Sequence, residues 1–269
     1  MSKSINLFGF HSIESLLITN PESIIKVSIQ SNRKDKRAVE LINTLTRQKI
    51  PFFSSDRNNL DRIAKGEVHQ GVISEVILPP LLNEESLFKS ISENLSKPLL
   101  LVLDSIQDPR NLGACLRSAN AAGVDYVVIN KDGSAPINAV VHKTSAGAIN
   151  SLKIFHVTNL SRTIKEIQKR GIWVIGLDGS SKSTIYDVNF TDATAIVMGA
   201  EGKGIRRLIK ENCDQIVTIP MSGNIESLNV SVATGIALFE SKRQRESTYN
   251  CTNTVCTHYT TDICPTCFG

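Results

Sequence analysis

The chain has 269 residues, 41% hydrophobic and 21% charged, long enough to bury one large or two modest cores without disulfide or metal staples. That balance excludes global disorder, a fibrous repeat and a small secreted scaffold, and the longest aliphatic run, Leu99–Leu103, falls far short of the roughly 18 residues of a membrane span. Thirty Lys and Arg against 26 Asp and Glu leave a formal charge of +4, which permits an anionic partner without demanding one.

Taken in chain order, the N-terminal stretch MSKSINLFGFHSIESLL carries a single Lys and no small-residue cleavage site, so no secretory signal is expected and a cytoplasmic protein is. Two isolated cysteines in the body, Cys115 and Cys213, fit a reducing compartment. Residues 1–78 read as a small α/β unit: strand-like IIKVSI from Ile24 and GVISEVI from Gly71 flank a helix over 35–48, whose apolar positions Ala38, Leu41, Ile42 and Leu45 keep helical spacing behind a capping Asp35. The SNRKDKR run before that helix is the most basic stretch of the chain. Residues 79–97, with Pro79, Pro80 and a short amphipathic piece, are expected to link two domains.

Over 98–245 the pattern becomes strand, helix, strand, repeated: LLLVL, a helix from Asn111 to Ala122, YVVI, a helix from Leu160, WVIGL, then AIVM before a helix ending near Glu211. That alternation predicts an α/β domain with a mostly parallel sheet. A last long helix is expected from near Asn229 to about Arg243. Residues 246–269 hold no Lys or Arg, are rich in Thr and Cys and lack apolar periodicity, so a disordered tail is expected. Its Cys264 and Cys267 have a C-x-x-C spacing, but Cys251, Cys256 and His258 are spaced irregularly for zinc, and no metal site is assigned.

Three segments share one address, the carboxyl end of an expected strand, where open α/β sheets bind ligands. The first, LDSIQDPRNLGACLRS, places Asn111 as a helix cap and Gly113 and Arg117 four residues apart on one helix face, suited to a phosphate or carboxylate. A plain cap followed by a surface Arg is the alternative. The second, IVMGAEGKGIRRL, sets Glu201 among glycines; its spacing matches neither a P-loop nor the dinucleotide fingerprint. The third, IPMSGNIESLNVSVATG, carries Ser227, Asn229 and Ser231 at a helix start. Together they predict a polar site holding Asn111, Arg117, Glu201 and Asn229 that acts on an anionic substrate; residue types alone do not name the reaction.

The runs N-L-G-A-C-L-R-S, M-G-A-E-G-K-G and I-P-M with S-L-N-V-S-V-A, in this order, resemble the three motifs of the SpoU/TrmH branch of the SPOUT RNA ribose 2′-O-methyltransferases, and the resemblance spans roughly residues 5 to 243. It implies a SPOUT α/β-knot catalytic domain with a deep trefoil knot, a topology that general rules of chain connection would reject, and a smaller N-terminal ribosomal-protein-like α/β domain that binds RNA. It implies S-adenosylmethionine as cofactor, held near Met198, Gly199, Ile219, Met221 and Leu228. Catalytic roles fall on Asn111, Arg117, Glu201, Asn229 and Ser231, with Ser227 in support. Because a guanidinium stays protonated, Arg117 is expected to clamp phosphate, oriented by Asn111 and Asn229, in a site completed by the second subunit of a homodimer.

The same resemblance assigns RNA contacts to Arg33, Lys34, Lys36 and Arg37, through counterion release, against the plainer reading of a solvated loop. His11 and His69 are expected to be structural or RNA-contacting rather than metal ligands. The N-terminal unit, with F-G-F-H-S-I-E-S-L-L and V-H-Q-G-V, favours members acting on a guanosine of 23S rRNA, as free RNA or as a precursor ribosomal particle. A tRNA methyltransferase and a noncatalytic RNA-binding assembly factor on the same fold are the alternatives. A Rossmann-type methyltransferase is disfavoured, since LVLDSIQDP stands where its glycine-rich turn would be.

Overall fold

The structure is a computed structural model that describes residues 4–77, 82–93, 97–223 and 227–253. Its first unit runs β1 (Ser4–Phe8), α1 (Phe10–Thr19), β2 (Ile24–Gln30), α2 (Lys36–Arg47), β3 (Phe52–Ser55), α3 (Arg57–Ala64) and β4 (Val72–Ile77), with strand order β1-β4-β2-β3. Alternation along β4 divides the faces. Val72 and Val76 pack with Phe10, Ile13, Leu41 and Leu45 under α1 and α2, while Ile73 turns to Leu60 and Ala64 of α3. Asp35 caps α2 as expected, its Oδ1 accepting the Ala38 N–H at 3.1 Å.

The second unit comprises β5 (Leu82–Asn83), α4 (Glu84–Glu93), β6 (Leu99–Leu103), α5 (Pro109–Ala122), β7 (Tyr126–Asn130), α6 (Ala139–Thr144), β8 (Lys153–Val157), α7 (Leu160–Gln168), β9 (Trp173–Leu177), β10 (Thr194–Met198), α8 (Arg207–Glu211), β11 (Gln215–Val217) and α9 (Val230–Asn253). Seven parallel strands lie in the order β11-β9-β10-β6-β7-β8-β5. The unbroken LLLVL run follows from burial on both faces: Leu99, Leu101 and Leu103 face α5 and α9, and Leu100 and Val102 face α4 and α7. From β6 the chain moves to β7 on one side, whereas from β10 it passes β9 to form β11 on the other. The sheet's order therefore reverses between β6 and β10, whose carboxyl ends meet where the Asp104 N–H donates to the Met198 carbonyl at 2.8 Å. Such a reversal opens a ligand crevice.

Two expected boundaries move. Within the stretch expected to link the domains, Leu82–Asn83 pairs with β8 and Leu87 and Ile91 of α4 bury against the second sheet. The last helix continues ten residues beyond Arg243, to Asn253, where the start of a disordered tail was expected. Gln244 and Arg245 tie it down: Gln244 bonds the Phe190 N–H and the Val188 carbonyl, and Arg245 donates to the carbonyls of Phe190, Lys97 and Asp192. The remaining tail, with Cys256, His258, Cys264 and Cys267, lies outside the described residues. The two units touch through α6, which packs on β1, and through Lys143, 3.3 Å from Glu67.

Candidate active site at the carboxyl ends of the strands

Asp108, not Asn111, caps α5: its carboxylate accepts the Arg110 N–H at 2.8 Å, with Pro109 supplying the first helical φ. The displaced Asn111 sits inside the first turn, buried, and its amide is free for tertiary work. Its Nδ2 donates to Glu201 Oε2 at 2.8 Å and its Oδ1 accepts from Asn229 Nδ2 at 3.0 Å. Asn229 Nδ2 also lies 3.4 Å from Glu201 Oε1, while Asn229 Oδ1 accepts from the Ser231 N–H at 2.9 Å and from Ser231 Oγ at 2.6 Å. Four expected site residues from three distant segments thus form one network, a cooperative arrangement that fixes each amide's orientation.

Arg117 stays outside that network. Six residues advance a helix by about 600°, so Arg117 points roughly 120° away from Asn111, and it is exposed on α5. Asn111 and Asn229 orient Glu201, not Arg117 as expected. Gly113 does not open the helix to a ligand either: a Cβ there would lie 1.8 Å from Thr144 Oγ1, so the glycine serves the packing of α6 on α5.

All five residues expected around the cofactor, Met198, Gly199, Ile219, Met221 and Leu228, line one cavity of about 390 Å³, as does Ser227. Its tightest wall is a hairpin: Ala200 and Gly204 exchange backbone hydrogen bonds of 3.0 and 2.8 Å, and a Cβ at Gly199 would come within 2.0 Å of the Gly204 carbonyl carbon. The left-handed φ of Gly202 and Gly204 lets this turn close. Leu177 adds to the apolar wall, and Asp178 to the polar rim. Burial pulls the Asp178 carboxyl up, but bonds from Ser180 and the Lys210 ammonium 2.9 Å away outweigh it and hold the group below the usual carboxylate range. Both residues escaped the sequence reading, although Asp178 follows an apolar strand just as Asp104 does.

A second cavity, of about 450 Å³, shares the Ala200, Glu201 and Gly204 wall and reaches Asn111, Gln107 and Asp104. Asp104 is fully buried; its carboxylate accepts the Arg206 backbone N–H at 2.9 Å and both Nε and Nη2 of the Arg206 side chain at 2.7 Å. Thiol chemistry has no place nearby. Burial pushes Cys115 up to about 11, and burial with the Asp214 and Asp104 charges pushes Cys213 up to about 12, so neither supplies thiolate at neutral pH.

In the first unit the basic run separates. Arg33 and Arg37 lie over the Phe10 ring at 4.7 and 4.9 Å; Arg33 pairs with Asp35 and the Gln70 carbonyl, and Arg37 holds Glu14 with two bonds of 2.8 and 2.7 Å. Lys34 and Lys36 are exposed, Lys36 at 4.0 Å from Glu40. His69 is buried, bonded to Asp61 at 2.8 Å and accepting the Gly71 N–H at its other nitrogen, whereas His11 is exposed. Among the described residues no group of three His, Cys, Asp or Glu could hold a metal, and no helix is long and apolar enough to cross a membrane.

Residues 98–239 match the SpoU rRNA Methylase family, and residues 7–80 match the RNA 2′-O ribose methyltransferase substrate-binding family. The chain is 47% identical over 245 residues to the 23S rRNA (guanosine-2′-O-)-methyltransferase RlmB of Haemophilus ducreyi, covering 91% of this chain and 99% of that one. It is 45% identical to RlmB of Escherichia coli, with 89% and 98% coverage. The fold matches the SpoU methyltransferase AviRb of Streptomyces viridochromogenes, solved with AdoMet, at a TM-score of 0.74, 22% identity and 91% coverage of both chains. The A. aeolicus TrmH/SpoU tRNA modifying enzyme matches at a TM-score of 0.52 and 32% identity, over 62% of this chain and 86% of that one. The architecture is the α/β-knot class that the motifs implied, and the chain belongs to the SpoU rRNA methylase family.

Proposed function

We propose that this protein transfers a methyl group from S-adenosylmethionine to the ribose 2′-hydroxyl of a guanosine in 23S rRNA. The observation that carries the proposal is the shared wall: at the carboxyl ends of β6 and β10, Ala200, Glu201 and Gly204 separate a cavity lined by Leu177, Met198, Ile219 and Leu228 from one lined by Asp104, Gln107, Asp108 and Asn111. Similarity to the RlmB proteins over nearly their whole length supports the choice of substrate.

The first cavity fits the cofactor. Gly199 lets the Ala200 to Gly204 hairpin close directly against it, so that backbone lines this side of the cavity, and Leu177, Met198, Ile219 and Leu228 add apolar side chains. When bound, S-adenosylmethionine supplies an electrophilic methyl on a positively charged sulfur. The apolar side chains of Leu177, Met198, Ile219 and Leu228 would favour a transition state in which the sulfonium charge is dispersed over the charged ground state. Glu201, fixed by the Asn111 and Asn229 amides, retains lone pairs to accept a hydrogen bond from the 2′-hydroxyl and orient its oxygen for in-line attack, and the hydroxyl proton would leave along that hydrogen bond as the oxygen takes the methyl. Ser231 locks the Asn229 amide.

Arg117 clamps RNA phosphate, acting on RNA held mainly by a second copy of the chain. Its exposure supports this role, as do Val232 and Phe239, exposed two turns apart on α9, as a dimer face. Arg33, Lys34, Lys36 and Arg37 contact RNA, the exposed lysines most directly, and the enzyme works on ribosomal RNA in the cytoplasm. The test is transfer of radiolabelled methyl to unmodified bacterial 23S rRNA with tRNA alongside. Label in 2′-O-methylguanosine from rRNA is expected; label only in tRNA moves the substrate, and no label with no cofactor binding overturns the proposal.

A further inference from the structure

Asp104 and Arg206 lie within the first and second segments but take no part in the site described above, yet Arg206 lines two cavities at once. One is the cavity beside Glu201; the other, of about 420 Å³, lies over the carboxyl ends of β7 and β8 and is lined by Asn130, Thr158, Asn159, Arg207 and Leu208. Asp104 is wholly buried while the Arg206 side chain is about half exposed. A buried carboxylate takes the backbone N–H, Nε and Nη2 of this single arginine and so sets the direction of its guanidinium. Nη1 is left out of those bonds, on a side chain that lines both cavities.

Resting on the methyltransferase reading above, we propose that Arg206 grips the phosphate joining the target nucleotide to its neighbour in the RNA chain, and that the cavity beyond it is the neighbouring nucleotide's subsite. The chemistry of the walls is selective. Asp108 on one side and Asp132 on the other repel a phosphate placed deep in either cavity, but their carboxylates suit the amino and imino donors of bases. Lys203 in the first cavity and Arg207 in the second add positive charge on both sides of Arg206. Leu208, exposed at the second cavity, offers an apolar contact for a base face. Asp104 is then a positioning residue: it holds the fork of Arg206 ready before the RNA arrives, which lowers the ordering cost of the contact.

The experiment pairs protein and substrate changes, using a fragment of 23S rRNA that contains the methylated guanosine. The phosphate on each side of that guanosine is replaced, one at a time, by a neutral methylphosphonate, and kcat/KM is measured for the wild type and Arg206→Ala. The wild type loses about tenfold or more at one of the two linkages, the size of a charge-assisted hydrogen bond. Arg206→Ala loses a similar factor on unmodified RNA and nothing further from the methylphosphonate at that linkage. Since Arg206→Ala strands a buried carboxylate, the double variant Asp104→Asn with Arg206→Gln is measured too, with the same insensitivity expected. Neither linkage mattering to the wild type, or losses that multiply in both variants, overturns the proposal. Failure of the wild type to methylate the unmodified fragment overturns the underlying reading instead.

Discussion

The N-terminal basic run and the carboxyl-end cluster are opposites in construction. Arg33, Lys34, Lys36 and Arg37 are neighbours in sequence, yet the fold splits them: the two arginines meet over Phe10 and pair with Asp35 and Glu14, and the lysines are left to solvent. Asn111, Glu201 and Asn229 are far apart in sequence, yet their side chains bond one another. Charge density along a chain therefore says little about a site, because nearby acids can neutralise it. Polar groups at the ends of buried strands say more, because a parallel sheet brings those ends together.

The largest effect that would break this contrast comes from the cluster's backbone. Gly199→Ala forces a Cβ into the Gly204 carbonyl carbon, and cofactor affinity is expected to fall by about a hundredfold or more, with about 3 kcal/mol lost in stability. Titration calorimetry and urea unfolding check this; wild-type affinity would show that the hairpin is not the cofactor's cradle. Of comparable size but without the loss of stability, Asn229→Ala and Glu201→Gln should each lower methyl transfer by about 10², the scale of losing a preorganised polar contact to reacting atoms. Their cofactor affinity should stay within about threefold of wild type, since Asn229 does not line the cofactor cavity and Glu201→Gln keeps the shape of the shared wall.

The seam between the two units sharpens the contrast in another way. His142 of α6 is buried with Nε2 unpartnered among the described residues, and burial lowers its pKa from 6.5 to about 4. The unfolded chain takes up this proton first as pH falls, so the neutral imidazole's contribution is complete above pH 6.5 and declines toward about pH 4. The total is on the order of 3 kcal/mol. Urea unfolding at pH 7 and pH 5 should show the loss, and His142→Gln should flatten it; an unchanged slope in the variant would point to other groups.

The smallest effects belong to the basic run. Arg37→Ala should cost under about 1 kcal/mol, because its bond to Glu14 is solvent-screened. Lys34→Ala and Lys36→Ala should weaken RNA binding slightly and lower the salt slope by about 0.7 each, without touching cofactor affinity. A large loss in either lysine variant would make the run a principal anchor.

Much of this was legible beforehand for stated reasons. Apolar runs such as LLLVL mark strands buried on both faces, and Asn, Glu and Asn at their ends marked the cluster. Three features were not. Asn111 read as a cap because Asn caps well, but Asp108 stands ahead of Pro109, and proline favours the first helical position. Arg117 read as part of the cluster because it follows Asn111 on one helix, although six residues turn it away. Asp104 and Arg206 gave no local signal, since each has meaning only through a partner 102 residues away. The two-residue β5 and the Gln244 and Arg245 anchors of α9 likewise depend on contacts that sequence periodicity does not carry.

The most direct measurement is methyl transfer to unmodified 23S rRNA by wild type and Asn229→Ala side by side, with cofactor affinity measured on both and the labelled nucleoside identified. Wild type is expected to yield 2′-O-methylguanosine and the variant almost none, with both proteins binding S-adenosylmethionine alike. Label in a base rather than a ribose, or undiminished transfer by the variant, would contradict it.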